Sequence, residues 1–477
     1  MGFRQTSLRA LIALGLAGQV AACGSIPRAP YTAEQAAFAS VPGIPGARVF
    51  ADASVETIAE LAANPQRRSS GFTYLALSGG GGDGAYGAGV LNGWTASGKR
   101  PEFTLVSGVS TGALIAPFAF LGSAYDPYLT EFYTSGVAGE LVASPNLANV
   151  LFGSGLFGDG RLRNLIDRYV TPDLIRAVAE EHAKGRRLLV VTTNLDSQRA
   201  VIWNMGAIAA SGAPNARELF RDVLAASASI PAVFPPQFID VSAGDSRFQE
   251  MHVDGSVVTP VFTLPQTLLL RDGRIRTGGK AEIYVVINGR LEPDFEVTKD
   301  NTLSIVERSF TTASRARSRA TLTATYALAR SNGIGFNLTY IDENGPKVPA
   351  SKGFDTAYMR ALYEEGLEKG RTGSFWRHTV PAAPPTRETA RALAHGSDGR
   401  GAARPSGRAA SGVMCRRYLP RIFVTRRPIG VAVLAFRSSR STGRFSLPRS
   451  LVTMRPIRFM GRPSSIAPER RSFRFNG

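Results

Sequence analysis

Between residues 73 and 369 the chain alternates short apolar runs of strand character with longer stretches of helical period, and this alternation most narrows what it can fold into. The run at 73–77 reads as a buried strand, that at 103–109 as a second strand and that at 281–288 as a strong one. The intervening stretches at 86–96, 111–121, 215–227, 302–329 and 356–369 have the length and period of covering helices. Residues 187–195 and 200–204 read as a strand pair, plausibly a hairpin, with further strands at 248–253 and 334–340. The expectation is an α/β sheet covered on both faces, with some antiparallel pairing and no internal repeat. A chain of 477 residues that is 44% apolar has ample core for this, and global disorder is excluded.

The net charge of +19 invites a search for a nucleic-acid surface until it is located along the chain. Residues 396–477 hold 18 arginines, no lysine and two acids, a charge of +16 that leaves only +3 for everything before them. The main body is nearly neutral, so no DNA-reading face is expected on it and no specific nucleic-acid partner. The tail has no helical or alternating apolar period. It reads as a GC-rich coding region translated in a shifted frame, with a solvated polybasic arm and a folded module as the alternatives. Cys23 and Cys415 are the only cysteines and the four histidines do not cluster, which argues against a disulfide scaffold and a structural zinc site.

Two early arginines, an apolar run over 10–22 and then Cys23 make a secretory signal too short for a membrane span. Val20-Ala21-Ala22-Cys23 resembles the lipobox of bacterial lipoproteins, which implies a lipid on Cys23. Gly24 and Ser25 lack the aspartate associated with inner-membrane retention, so the resemblance implies an outer-membrane anchor facing the periplasm or the exterior. An ordinary cleaved signal with a chance cysteine is the alternative. The expected organisation is a signal peptide at 1–22, an anchored tether with an initial helix and little strand character at 23–70, a catalytic domain at 71–375, and a Pro/Arg-rich tail at 376–477.

Chemistry concentrates in two glycine-flanked turns. Gly108-Val109-Ser110-Thr111-Gly112 ends an apolar strand and opens a helix, the context in which a tight turn projects a serine hydroxyl over a helix N-terminus. Thirty residues earlier a strand runs into Gly79-Gly80-Gly81-Gly82-Asp83-Gly84, where bare backbone amides can approach an oxyanion or a phosphate. The loop lacks the Gly-Lys-Ser/Thr of a P-loop, and four adjacent glycines fit a dinucleotide fingerprint poorly.

A base for the serine is harder to find. His182 lies in a charged stretch expected to be solvated, and His378 and His395 lie near or beyond the end of the body. His252 stands two residues before Asp254 and shares its strand face, which keeps a His252-based triad open. A serine–carboxylate dyad using Asp254, in Asp254-Gly255-Ser256, is the economical alternative. Trp94, Tyr86, Phe118 and Phe120 read as core, and Arg308, Arg315, Arg317 and Arg319 as a solvated helix face able to meet lipid phosphates.

Together these sites resemble the patatin-like phospholipase family over about residues 73–260, with further similarity expected to about 369. The glycine loop, the elbow around Ser110, the Asp254-Gly255 pair and the block Ala225-Ala226-Ser227-Ala228-Ser229-Ile230-Pro231-Ala232-Val233-Phe234-Pro235-Pro236 occur in the family's order. The resemblance implies a three-layer sandwich around a mixed, mostly parallel sheet. It further implies Ser110 as nucleophile, Asp254 as its base, the amides of Gly80, Gly81 and Gly82 as oxyanion donors, Gly108 and Gly112 as the elbow's glycines, and no metal or cofactor. Asp83 stands where most members carry Arg or Lys, which implies neutral or zwitterionic lipids or lysolipids as substrates. Ser256 takes the place of the family's Gly or Ala. A general esterase or thioesterase with the same dyad, and a catalytically silent lipid-binding lipoprotein, are the rival functions.

Overall fold

The computed structural model describes residues 28–62, 71–142, 160–269, 279–347, 354–373 and 375–381; Cys23 and the arginine-rich tail lie outside them. Among the described residues nine strands form one sheet: β1 (Arg48–Phe50), β2 (Phe72–Leu77), β3 (Leu105–Val109), β4 (Arg187–Asn194), β5 (Arg199–Asn204), β6 (Gln237–Ala243), β7 (Ser246–Asp254), β8 (Ala281–Ile287) and β9 (Gly335–Tyr340). Their order is β1-β5-β4-β3-β2-β8-β9, with β7 attached to β4 and β6 to β7. The block from β4 through β3, β2 and β8 to β9 is parallel, whereas β1, β5, β6 and β7 join antiparallel.

Strand alternation divides the interior in two. Leu75 and Leu77 of β2 point into one core beside Val106, Leu188 and Val190, while Tyr74 and Ala76 point into the other beside Val109, Leu189, Val191, Ile283 and Val285. The first core is covered by helices that include Gly84–Ala96, Thr111–Leu121, Ala216–Ala228 and Thr356–Thr372, and the second by residues of the long helix Thr302–Ser331. This is the expected three-layer α/β arrangement. Tyr86, Trp94, Phe118 and Phe120 are core residues, as their spacing suggests. Among the described residues no helix is long and apolar enough to cross a membrane.

The helices Gly84–Ala96 and Thr356–Thr372 meet backbone to backbone. A Cβ on Gly89 would lie 2.0 Å from the Tyr363 carbonyl, and one on Gly366 2.2 Å from that of Tyr86. The contact brings the start of the C-terminal helix against the glycine loop.

One expectation needs correction. The segment at 23–70 has the expected initial helix at Ala33–Phe38, but it also supplies a helix at Val55–Ala62 and the edge strand β1, whose Arg48 pairs with Trp203 of β5. A strand of three residues leaves almost no periodic signal, which is why this segment reads as irregular in sequence. At the other end the body extends past 375, because Leu338 and Arg377 exchange both backbone hydrogen bonds at 2.8 Å.

Candidate active site

Strand β3 ends at Val109 and the chain reverses into the helix Thr111–Leu121. Ser110 makes that turn with φ 55° and ψ −124°, a strained conformation for a residue with a side chain. Its flanking glycines are required by close approach: a Cβ on Gly108 would lie 2.3 Å from the Gly112 carbonyl oxygen, and one on Gly112 2.4 Å from that of Leu77. The early end of β3 has a second effect. It leaves the edge of β4 open beyond Val191, and there the last three residues of β7 pair antiparallel, with Asp254 opposite Thr192. Two residues far apart in sequence thereby arrive at one point.

Ser110 Oγ donates to Asp254 Oδ2 at 2.6 Å, and both residues are buried. The other carboxylate oxygen accepts from the Ser256 amide at 2.7 Å. Burial pushes the Asp254 carboxyl up to about 6, against the hydrogen bonds from Ser110 and Ser256 that favour its charged form. Gly255 is needed behind it, since a Cβ there would lie 2.4 Å from the Val191 carbonyl oxygen.

The glycine loop runs past the serine: a Cβ on Gly79 would lie 3.2 Å from that of Ser110. Asn288 pins the strand end beneath the loop, its amide donating to Ser78 Oγ at 2.8 Å and its Nδ2 to the Ser78 carbonyl at 2.7 Å. The Gly79 amide is used by the Pro260 carbonyl, whereas those of Gly80, Gly81 and Gly82 donate to no acceptor among the described residues. Three consecutive unengaged N–H groups beside a serine hydroxyl are the elements of an oxyanion site.

The block at 225–236 acts on both members of the pair. Ser227 Oγ accepts the Ser110 amide at 3.0 Å and donates to the Val191 carbonyl at 2.7 Å, while the Ser229 carbonyl accepts the Asp254 amide at 2.9 Å. Sequence reading found the block through its resemblance alone. Nothing in its spacing shows that Ser227 braces the elbow.

The described histidines, His182, His252 and His378, lie elsewhere. His252 is fully buried between Glu250 and Thr192, with Nε2 3.1 Å from Glu250 Oε2 and Nδ1 2.9 Å from Thr192 Oγ1, so neither ring nitrogen engages Ser110. Burial drives its pKa down, against the pull of Glu250. His182 is half-buried rather than solvated, its ring against Gly206, and burial with the Arg187 charge lowers it to about 4.

Asp83 does not leave the loop without cations nearby. Its carboxylate accepts from Tyr358 Oη at 2.7 Å and is pushed up to about 6 by burial, opposed by that bond and by the charges of Arg290 and Arg315. Other arginines of the long helix, read as solvated, are tied to backbone carbonyls: Arg308 to Asp294, Arg317 to Val257 at 2.8 Å, and Arg319 to Leu291 at 3.3 Å and Pro381 at 3.1 Å.

A covered mixed, mostly parallel sheet with a serine on a strained strand-to-helix turn against a buried carboxylate is the arrangement of an α/β hydrolase fold. Residues 75–265 match the family model described as patatin-like phospholipase, a span that contains the glycine loop, Ser110 and Asp254. Residues 75–265 are a patatin-like phospholipase domain, which makes the protein a lipid hydrolase. A search of curated proteins gave no match. Among solved structures, VipD from Legionella pneumophila aligns at 13% identity with a TM-score of 0.34, covering 64% of this chain and 67% of its own, a likeness too low to carry an argument.

Proposed function

We propose that the protein is a serine acyl-ester hydrolase of the phospholipase A or lysophospholipase type, working through a Ser110–Asp254 dyad and the amides of Gly80, Gly81 and Gly82. The observation that carries this reading is the 2.6 Å hydrogen bond from Ser110 Oγ to the buried Asp254 carboxylate. A carboxylate is ordinarily a weak base, with a reference pKa of about 3.9. Burial with no neighbouring cation to steady its charge raises Asp254 to about 6, which suits proton abstraction near neutral pH.

The steps follow from the geometry. As Ser110 Oγ attacks the acyl carbon, its proton passes to Asp254 Oδ2 and the carbonyl π electrons move onto oxygen, where the loop amides stabilise the charge. Collapse of the tetrahedral intermediate breaks the ester C–O bond, and the departing alcohol takes the proton from Asp254. Water then attacks the acyl-enzyme with Asp254 again accepting a proton, and transfer of that proton to Ser110 Oγ as the ester breaks releases the fatty acid. Proton transfer of this kind contributes roughly 10²–10⁴-fold and each oxyanion donor about 10²–10³.

The substrate reading is a neutral or zwitterionic phospholipid or lysophospholipid, supported by Asp83 in the glycine loop where the family carries a cation. The proposed setting is the outer membrane of a bacterial envelope, with Cys23 as the lipid-bearing anchor, supported by the lipobox-like Val20-Ala21-Ala22-Cys23. Hydrolysis of phosphatidylcholine, phosphatidylglycerol, lysophosphatidylcholine and a short soluble ester, by wild type beside Ser110→Ala, tests the activity. Fatty acid released from the zwitterionic lipids by wild type alone supports it, and equal release by both proteins refutes it. A Cys23→Ala protein that stayed in the membrane fraction would refute the anchor.

A further inference from the structure

Residues that precede the family-matched span dock on the strand pair that delivers Asp254. Arg28 reaches the Gln249 carbonyl of β7 at 3.2 Å while forking onto Asp196 of the β4–β5 turn at 2.6 and 2.8 Å, Tyr31 stacks on Phe248 at 4.2 Å, and Ser40 exchanges two backbone hydrogen bonds with Ser242. The innermost contact is ionic. Arg48 on β1 gives both terminal nitrogens to Glu250 of β7, Nη2 to Oε1 at 3.0 Å, with the two side chains 5% and 0% exposed. Glu250 Oε2 meets His252 Nε2, and Trp203 Nε1 donates to Thr192 Oγ1 at 2.8 Å. With that oxygen accepting from Trp203, the Thr192 proton is available to His252 Nδ1, so the neutral ring carries its hydrogen on Nε2 and gives it to Glu250. Thr192 is the residue directly opposite Asp254 between β4 and β7.

We propose that Arg48, supplied from outside the family domain, is a positioning residue for Asp254: by neutralising Glu250 it holds the Glu250–His252–Thr192 chain in the one order that fixes β7 on β4 and keeps the carboxylate on Ser110. The proposal rests on the dyad reading above. An apolar pair of similar volume would fill this part of the core at least as well, whereas a fully satisfied buried network specifies a single geometry. Hydrogen bonds from His252 and Arg48 overcome the effect of burial and keep Glu250 ionised. Without the guanidinium, His252 is the remaining hydrogen-bonded partner of that charge among the described residues; once it takes a proton, Nδ1 can only donate, so its bond to Thr192 must reverse and the Thr192 proton loses its acceptor. The charged groups acting on His252 are Glu250, Arg48 and Asp196, and none acts on Asp254 in the intact network. An unneutralised Glu250 on the same strand opposes ionisation of Asp254.

The test uses the full-length protein and a short soluble ester, with competent sites counted by fluorophosphonate titration so that kcat refers to active serine. For Arg48→Met we expect kcat about tenfold lower with KM within about twofold, as for a misplaced catalytic group. The acid limb of kcat/KM should rise by about half a pH unit. Arg48→Met/Glu250→Gln, which leaves no charge uncompensated, should fold normally, keep the wild-type acid limb and give kcat between the two. Wild-type kcat per site and acid limb in Arg48→Met overturn the proposal; should that variant not fold, wild-type kcat per site in the double variant overturns it. Turnover retained by Ser110→Ala, measured alongside, would bring down the dyad reading instead.

Discussion

Ser110 Oγ and Asp254 Oδ2 share a proton across 2.6 Å although 144 positions of chain separate them. The elbow that exposes the serine also ends β3, and the end of β3 frees the length of β4 that β7 occupies to present the aspartate. The serine hydroxyl and the aspartate carboxylate are therefore brought together by one interruption in the sheet. Ser110→Ala and Asp254→Asn should each lower kcat by about 10³-fold or more, since members of such a unit fail together. Circular dichroism should be unchanged in both. Single-turnover assays on a short ester check the size of the loss.

Activity should depend on pH with a defined sign. As the proposed base Asp254 must be ionised, and burial raises its pKa to about 6. In wild type kcat/KM should rise with pH through about 6 and level off above it, with no histidine needed to account for that limb. A pH profile on a soluble ester, free of lipid-surface effects, is the check.

The same carboxyl sets a stability trend. Its folded pKa lies above its unfolded value, so its contribution is fully present below about pH 4 and is lost as pH rises through about 6, a change of about 3 kcal/mol for a shift of this size. Asp254→Asn removes that dependence and should melt higher than wild type at pH 8 while being inactive. Asp83, also pushed up to about 6, should leave a trend of the same sign and similar size in the variant. Thermal unfolding of both proteins at pH 4 and pH 8 measures it.

Ser227 ties the elbow to β4 without touching substrate chemistry. Ser227→Ala strands the Ser110 amide and removes the donor to the Val191 carbonyl, at a cost of about 1–3 kcal/mol in unfolding free energy. A fall of about tenfold in kcat with little change in KM is expected, because a looser elbow misplaces the hydroxyl. Urea unfolding and steady-state kinetics on the same preparation separate the two effects.

Gly80→Ala should disable the loop while sparing the dyad. The added methyl would lie 1.9 Å from the Asn288 carbonyl oxygen, so the loop must shift and carry its amides with it. A loss of about 10²–10³ in kcat is expected for a displaced oxyanion donor. Burst amplitude with a chromogenic ester checks whether acylation is the step that suffers.

The sequence was most legible where local pattern and covalent neighbours decide the structure. The helix Thr111–Leu121 is read with its observed bounds, because a glycine-flanked turn fixes its start and its apolar run its length. Strand β6 was missed although Gln237, Ile239 and Val241 alternate inward, because Pro235 and Pro236 punctuate the run just before it. The roles of Ser227, Asn288 and Arg48 were not legible, since each depends on a partner brought close only by the completed sheet. His252 shows the converse: sharing a strand face with Asp254 made it a candidate base, but its contacts with Glu250 and Thr192 could not be seen from position alone.

Fluorophosphonate labelling followed by peptide mapping addresses the assignment of nucleophile and base most directly. A single adduct on the peptide carrying Ser110, absent in Ser110→Ala and formed at least about a hundredfold more slowly in Asp254→Asn, is the expected result. An adduct on another residue, or labelling of Asp254→Asn at the wild-type rate, would contradict it.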